Sequence, residues 1–282
     1  MVDVYVASAF SKNNKGGNKA GIVFNRPDLS SGQKMEVAGE LGYSETAFVS
    51  DSDLADFKLQ YFTPTEEVPL CGHATIAAFS TLKLLGELDK QLFTIETKAG
   101  ILNIQIEEDG LILMEQNCPA YFDVLNPDIF GDCIEKDFIN CDFPIQIVST
   151  GLSDIMLPVD SRNHLEVLSP DFKMMAELSK EKNVVGVHAF TLIEEPEITA
   201  ICRNFAPLYG IDEESATGTS NCALACYLFK YYKKRSQYIF EQGYNMGAIS
   251  RIIVNIAYHE DVIDSVYVGG YGYLLGQTTL SV

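Results

Sequence analysis

Glu45 and His73 are the side chains of this sequence best suited to moving a proton. Glu45 lies in Tyr43-Ser44-Glu45-Thr46-Ala47-Phe48-Val49, among aromatic neighbours and at the start of an expected strand. An apolar setting disfavours a carboxylate's charge and makes it a competent general base near neutral pH. The ordinary alternative is a solvated surface charge. His73 opens an apolar run that reads as a helix. An imidazole there donates a proton, orients a ligand, or is simply a satisfied structural residue. Gly72 and Gly218 each open such a run. A helix start presents unpaired N–H groups and the positive end of the dipole, and glycine lets a ligand approach the backbone closely. Those groups suit a bound carboxylate and an enolate or dienolate derived from it. Two ordinary capped helices are the alternative.

The elements that must position these residues are mostly strands. The chain opens with an expected strand over Val2 to Ala9, a Gly/Asn-rich loop from Lys12 to Gly17 and a strand over Ala20 to Phe24. A turn at Arg26-Pro27-Asp28 precedes a helix over Gly32 to Leu41. Thr46 to Ser50 and Phe57 to Phe62 form a strand pair around Asp51-Ser52-Asp53. Strong alternation from Phe93 to Met114, with turns at Ala99-Gly100 and Asp109-Gly110, reads as an antiparallel meander. More strands lie between Ile145 and Arg203, with one helix near Pro170 to Lys180. Tyr238 to Phe240, Ile252 to Ile256, Val262 to Val268 and Tyr273 to Leu275 complete the strands. Two helices, His73 to Leu85 and Thr219 to Lys233, are apolar nearly all round and therefore buried. Many strands with one central helix per half is an α+β pattern, not a doubly wound one.

The halves repeat one another. Phe62-Thr63-Pro64 recurs as Phe205-Ala206-Pro207, each followed by an acidic pair, Glu66-Glu67 and Glu213-Glu214, and then by Gly72 or Gly218. The two glycines lie 146 residues apart, about half of the 282-residue chain. We read an internal duplication with a boundary near Pro119. The first domain takes 1–118, completed by a C-terminal strand at about 271–282, and the second takes 119–270.

Composition limits the partners. With 20 basic and 39 acidic residues the net charge is -19, which repels phosphate backbones and anionic lipid. Nucleic acid and membranes are therefore not expected partners. The N-terminus lacks the basic region of a secretory signal. Seven cysteines, an odd count without a CxxC, indicate neither a disulfide framework nor a zinc site. They suit a reducing cytoplasm, as buried inert thiols for the most part. Gly270-Tyr271-Gly272 with Gly276 is not a dinucleotide fingerprint, and Gly16-Gly17-Asn18-Lys19 is not a phosphate loop. Lys230, Lys233, Lys234 and Arg235 form a basic patch at a helix C-terminus, to which we assign no ligand.

The motifs Gly17-Asn18-Lys19-Ala20, Tyr43-Ser44-Glu45-Thr46-Ala47-Phe48, Phe62-Thr63-Pro64 through Cys71-Gly72-His73-Ala74-Thr75, Phe205-Ala206-Pro207 through Ala216-Thr217-Gly218-Thr219, and Gln242-Gly243 run the length of the chain. In this order they resemble the phenazine-biosynthesis PhzF-like isomerase family, within the diaminopimelate epimerase-like fold. The resemblance implies two pseudo-symmetric α+β domains, each a barrel-like sheet around a central helix, with the active site between them, no cofactor or metal, and a homodimer. It implies catalytic roles for Glu45, His73, Glu214 and Thr219, and substrate-binding roles for Asn18, Ser44, Gly72, Thr217, Gly218, Gln242 and Gly243. The chain departs from the family at Glu214, where Asp is usual, at Ser215 for Pro, at Thr219 for Ser and at Lys19 for Pro. A shift of about 1 Å in a catalytic group can cost on the order of a hundredfold.

Three mechanisms are in view. In the first, Glu45 is the single base of an isomerase acting on a small carboxylic acid, unsaturated or cyclic. The second is a two-thiol racemase, which needs a cysteine at each helix entrance. Cys71 fills the first place, and Ser215 stands at the second, where a hydroxyl is a far weaker base. The third is a small-acid binding protein that has lost turnover.

Overall fold

The computed structural model describes residues 1–25 and 28–282. The turn expected at Arg26-Pro27-Asp28 falls mostly outside them. The chain divides into two compact units, Met1–Glu115 with Gly269–Val282, and Gln116–Val268.

In the first unit the elements follow as β1 (Val2–Ala9), β2 (Asn18–Phe24), α1 (Ser31–Leu41), β3 (Thr46–Ser50), β4 (Phe57–Phe62) and β5 (Glu67–Val68). After these come α2 (Gly72–Leu85), β6 (Leu92–Thr97), β7 (Gly100–Ile106) and β8 (Ile112–Gln116). The chain's last strand, β18 (Tyr273–Leu280), pairs antiparallel with β1 and so completes this unit. β1 also pairs antiparallel with β2, and β2 runs parallel to β3. β4 is antiparallel to β3 and β5 and parallel to β6, which leads into the meander through β7 to β8. Each parallel pair needs a crossover, and α1 and α2 supply them. α2 packs against β1, β2, β3 and β18, and its Phe79 meets Phe57 and Phe93 in an aromatic cluster.

The second unit holds β9 (Ala120–Leu125), β10 (Ile145–Ser149), β11 (Ser153–Pro158), α3 (Arg162–Val167), α4 (Phe172–Lys182), β12 (Gly186–Glu195) and β13 (Ile198–Ala206). It continues with β14 (Ile211–Glu214), α5 (Gly218–Tyr231), β15 (Gln237–Gln242), β16 (Ser250–His259) and β17 (Val262–Gly270). Its pairings repeat those of the first unit. β11 runs parallel to β12, β12 antiparallel to β13, and β13 antiparallel to β14 but parallel to β15, which pairs antiparallel with β16. The elements β2-β3-β4-β5-α2-β6-β7 thus recur as β11-β12-β13-β14-α5-β15-β16. The repeat of motifs in the sequence is a repeat of topology.

Several expectations need correction. Two helices, not one, lie between Ile145 and Arg203. α3 is a six-residue polar piece whose start is fixed by the Ser161 side chain rather than by an apolar stripe. The last turn of α2 is wet, with Leu84 64% and Leu85 42% exposed, ahead of a left-handed cap at Gly86. α5, by contrast, is buried from Cys222 to Phe229. Cys118 and Cys141 are exposed thiols; the other five are buried. Among the described residues no helix is long and apolar enough to cross a membrane.

Candidate active site

In the first unit, α1 ends at Gly42, whose positive φ turns the chain sharply. Tyr43, Ser44 and Glu45 then lead into β3, so Glu45 stands at the mouth of a strand whose next four residues are buried. His73 is the second residue of α2 and is buried. Its Nε2 lies 3.3 Å from Glu45 Oε2, and its Nδ1 lies 3.4 Å from Cys71 Sγ. Glu45 Oε2 is itself buried and makes no hydrogen bond of good geometry. Burial pushes the His73 imidazole below its ordinary value, and the Glu45 carboxylate opposes this in part. A neutral imidazole beside a carboxylate can accept or return a proton.

The same helix start is held from behind. Thr75 Oγ1 donates to the Cys71 carbonyl at 2.7 Å, and Tyr61 closes a 2.6 Å hydrogen bond onto the Thr75 hydroxyl. Cys71 occupies the N-cap but its side chain makes no capping bond. Asn18 opens β2 and is half-buried, and Ser44 is exposed.

The corresponding start in the second unit is α5. Its N-cap, Thr217, also makes no side-chain cap. The remaining α-helices, α1, α3 and α4, are each capped by a side chain, from Ser30, Ser161 and Asp171. Thr217 Oγ1 instead donates to Glu214 Oε2 at 2.8 Å. Gln242, fully buried, ties this turn together. Its Oε1 accepts from the Thr217 N–H and from Asn221, and its Nε2 donates to the Glu214 carbonyl and the Thr217 hydroxyl. Two lone pairs and two N–H groups are the whole capacity of an amide. Gly243 has φ +87°, and a Cβ there would lie 2.4 Å from the Ala248 carbonyl oxygen. Thr219 is half-buried, and its carbonyl accepts from Thr150.

Beneath α5 lies a buried polar chain. Ser220 donates to Asp154 Oδ2 at 2.7 Å, and Asn204 lies 3.1 Å from Ser220 and 3.2 Å from His188 Nδ1. Burial pushes Asp154 up to about 7, against hydrogen bonds from Ser220 and the Gly186 backbone. Burial also pushes His188 down to about 3, opposed by Asn221.

Residues 7–276 match the family model described as phenazine biosynthesis-like protein, PhzC-PhzF. The chain belongs to that family. It is 36% identical over 234 residues to the uncharacterized isomerase YddE of Escherichia coli strain K12, covering 80% of this chain and 78% of that one. The crystal structure of a PhzF-family phenazine biosynthesis protein from Bacillus anthracis superposes with a TM-score of 0.91 at 28% identity, covering 100% of this chain and 99% of the other. A hydroxyproline epimerase from Agrobacterium vitis, 13% identical, matches at a TM-score of 0.59 over 98% and 91% of the two chains. That likeness concerns the fold, which is of the diaminopimelate epimerase type. Isomerase activity comes with membership of the PhzF family.

Within the PhzF frame, the first unit brings Glu45 and His73 together with Cys71, which spacing alone presents as a small buried residue. The second unit brings Glu214, Thr217 and Gln242 together at the α5 start. One expectation changes. The position equivalent to Cys71 is the N-cap of α5, which is Thr217. Ser215 lies two residues earlier and is buried. Asn221 was not legible as a site residue, although a Ser220-Asn221 pair at the head of an otherwise apolar helix marks it.

Proposed function

We propose that this PhzF-family isomerase moves a proton on a small carboxylic acid, unsaturated or cyclic, with Glu45 as the base. The observation that carries the reading is the 3.3 Å approach of Glu45 to the buried His73 at a helix start that no side chain caps. The Glu45 carboxylate takes a proton from a carbon next to a carbonyl or alkene. The C–H electron pair passes into an enolate or dienolate, which N–H groups at Gly72 and His73 stabilise. Glu45, now protonated, returns the proton at another carbon on the same face. His73 orients the carboxyl group and shares its proton. General acid–base assistance of this kind contributes typically about 10²–10⁴-fold.

Glu214, Thr217, Gly218 and Thr219 form a second polar helix start, where we assign substrate binding to Thr217 and Gly218, and to Glu214 and Thr219 the catalytic task of orienting the substrate and assisting the proton transfer. A two-thiol racemase is disfavoured by the Thr217 hydroxyl at the N-cap of α5, because a hydroxyl is a poor base beside a thiolate.

The test is proton exchange in D₂O followed by NMR. Pools of small unsaturated and amino carboxylic acids are incubated with the wild type and with Glu45→Gln. Deuterium entering carbon with the wild type only is the expected result. Exchange that survives in Glu45→Gln and is lost in Cys71→Ala overturns the reading in favour of thiol chemistry. Tight binding of an acid with no exchange on it would make the chain a binding protein.

A further inference from the structure

We propose that Glu45, Cys71 and His73 form a three-donor site for a transition-metal ion, Zn²⁺ above all, whose occupation switches the isomerase off. The ion is an inhibitor here and supplies no chemistry to the reaction. The metal site stands on geometry alone; the inhibition rests on the proposed role of Glu45.

The donor set selects the ion class. One thiol, one imidazole and one carboxylate oxygen suit Zn²⁺ and its first-row neighbours, whereas Mg²⁺ and Ca²⁺ need mostly oxygen. Among the described residues this is the one group of three such side chains whose donor atoms lie within 4.8 Å of one another. Bonds of about 2.0–2.3 Å in a tetrahedral site put donors roughly 3.3–3.6 Å apart. His73 Nε2 is 3.3 Å from Glu45 Oε2, and Cys71 Sγ lies 3.4 Å from Nδ1 and 3.8 Å from Nε2. The Glu45–His73 edge is therefore close to size, whereas the Cys71 side chain must turn to bring its sulfur in front of Nε2 and toward Glu45, from which it is at most 4.8 Å away.

Three further observations support the site. Glu45 Oε2 is buried yet has no hydrogen-bond partner, so an ion would satisfy an oxygen that is otherwise costly to bury. Cys71 and His73 are fixed by the first turn of α2, which Thr75 and Tyr61 hold from behind. The Glu45 side chain is 19% exposed, so it has the freedom to close on an ion and leaves a path for one to enter. An ion with three protein donors keeps a fourth position for water. Once bound, it occupies the lone pair on Glu45 that would take the substrate proton.

The probe is Co²⁺, which has d–d absorption that Zn²⁺ lacks. Metal-free protein is titrated with Co²⁺ and read for a thiolate-to-cobalt band in the near ultraviolet and for tetrahedral bands in the visible. One equivalent with both features is expected in the wild type. The thiolate band should vanish in Cys71→Ser, and the affinity should fall at least about tenfold in His73→Ala, with circular dichroism confirming that both variants fold. Absence of the band in the wild type, or its persistence in Cys71→Ser, overturns the site. Zn²⁺ should then stop deuterium exchange and a chelator should restore it. Stoichiometric binding with exchange undisturbed overturns the switch. Binding without exchange in any metal-free sample counts against the role of Glu45 and leaves the metal site standing.

Discussion

Thr75 donates a 2.7 Å hydrogen bond to the Cys71 carbonyl four residues back and receives one from the buried Tyr61 hydroxyl. The first turn of α2 is therefore anchored to β4, and with it the direction of the His73 ring. Thr75→Val keeps the shape and removes both bonds, leaving the Tyr61 hydroxyl buried without a partner. We expect a loss of about 1–3 kcal/mol in urea unfolding. Turnover should fall more than substrate affinity, because a displaced His73 spoils the reacting geometry. Thr75→Ser, which keeps the hydroxyl, should recover most of both. Equal stability in Thr75→Val and the wild type would remove the anchor from this account.

His73 feels two opposed influences, burial lowering its pKa and the Glu45 carboxylate raising it, with burial the larger. Its Cε1 proton should titrate by NMR below the ordinary imidazole value of 6.5. Glu45→Gln removes the opposing charge and should lower the midpoint further. A midpoint that rises in Glu45→Gln would mean that the two side chains do not face each other in solution.

How far the site could be read beforehand depended on whether its parts are local in sequence. Glu45 and His73 were legible because each stands in a short motif at the edge of an element, and the repeat from Phe62 to Gly72 and from Phe205 to Gly218 exposed the duplication. α2 and α5 were legible from their lack of a wet face, except that the wet end of α2 is announced by Lys83 alone, while Leu84 and Leu85 after it read as buried. Asp154 and Ser220 were not legible, since their 2.7 Å bond joins residues 66 apart in the chain and no spacing encodes such a pair. The counterpart of Cys71 was read at Ser215, two residues before the α5 N-cap Thr217, because helix starts are decided by backbone geometry to within one or two residues. α3 escaped because six residues are too few to show a period.

Gln242 spends both lone pairs and both N–H groups on Thr217, Asn221 and Glu214. Its first effect should therefore be on the second unit's stability. Gln242→Leu keeps the volume but removes the acceptor of the Thr217 N–H and one of the two acceptors of Asn221 Nδ2, which keeps the Thr217 carbonyl, and a buried group that loses its partner costs about 1–3 kcal/mol. We expect a destabilisation of roughly 2–4 kcal/mol in urea unfolding. Hydrogen exchange at the amides of Thr217 to Asn221 should accelerate most. Uniform acceleration across α5, with no bias to its first turn, would contradict the anchoring role.

Asp154 is buried, and its folded-state value is pushed up to about 7 from an ordinary 3.8. A raised carboxyl favours the folded state fully only below the ordinary value, and that contribution is lost as pH climbs toward 7. Asp154→Asn mimics the protonated form, still accepts from Ser220, and does not titrate. Its stability relative to the wild type should grow between about pH 4 and pH 7 and then level off, by an amount on the order of 4 kcal/mol at most. His188, pushed the other way to about 3, adds a slope of opposite sign below about pH 6.5. Both variants contain it, so the difference isolates Asp154. Urea unfolding of the pair at pH 4.5, 6 and 8 makes the measurement. A gap that does not change with pH would show that Asp154 holds its charge inside the fold, paired more strongly than the Ser220 hydroxyl and the Gly186 N–H allow.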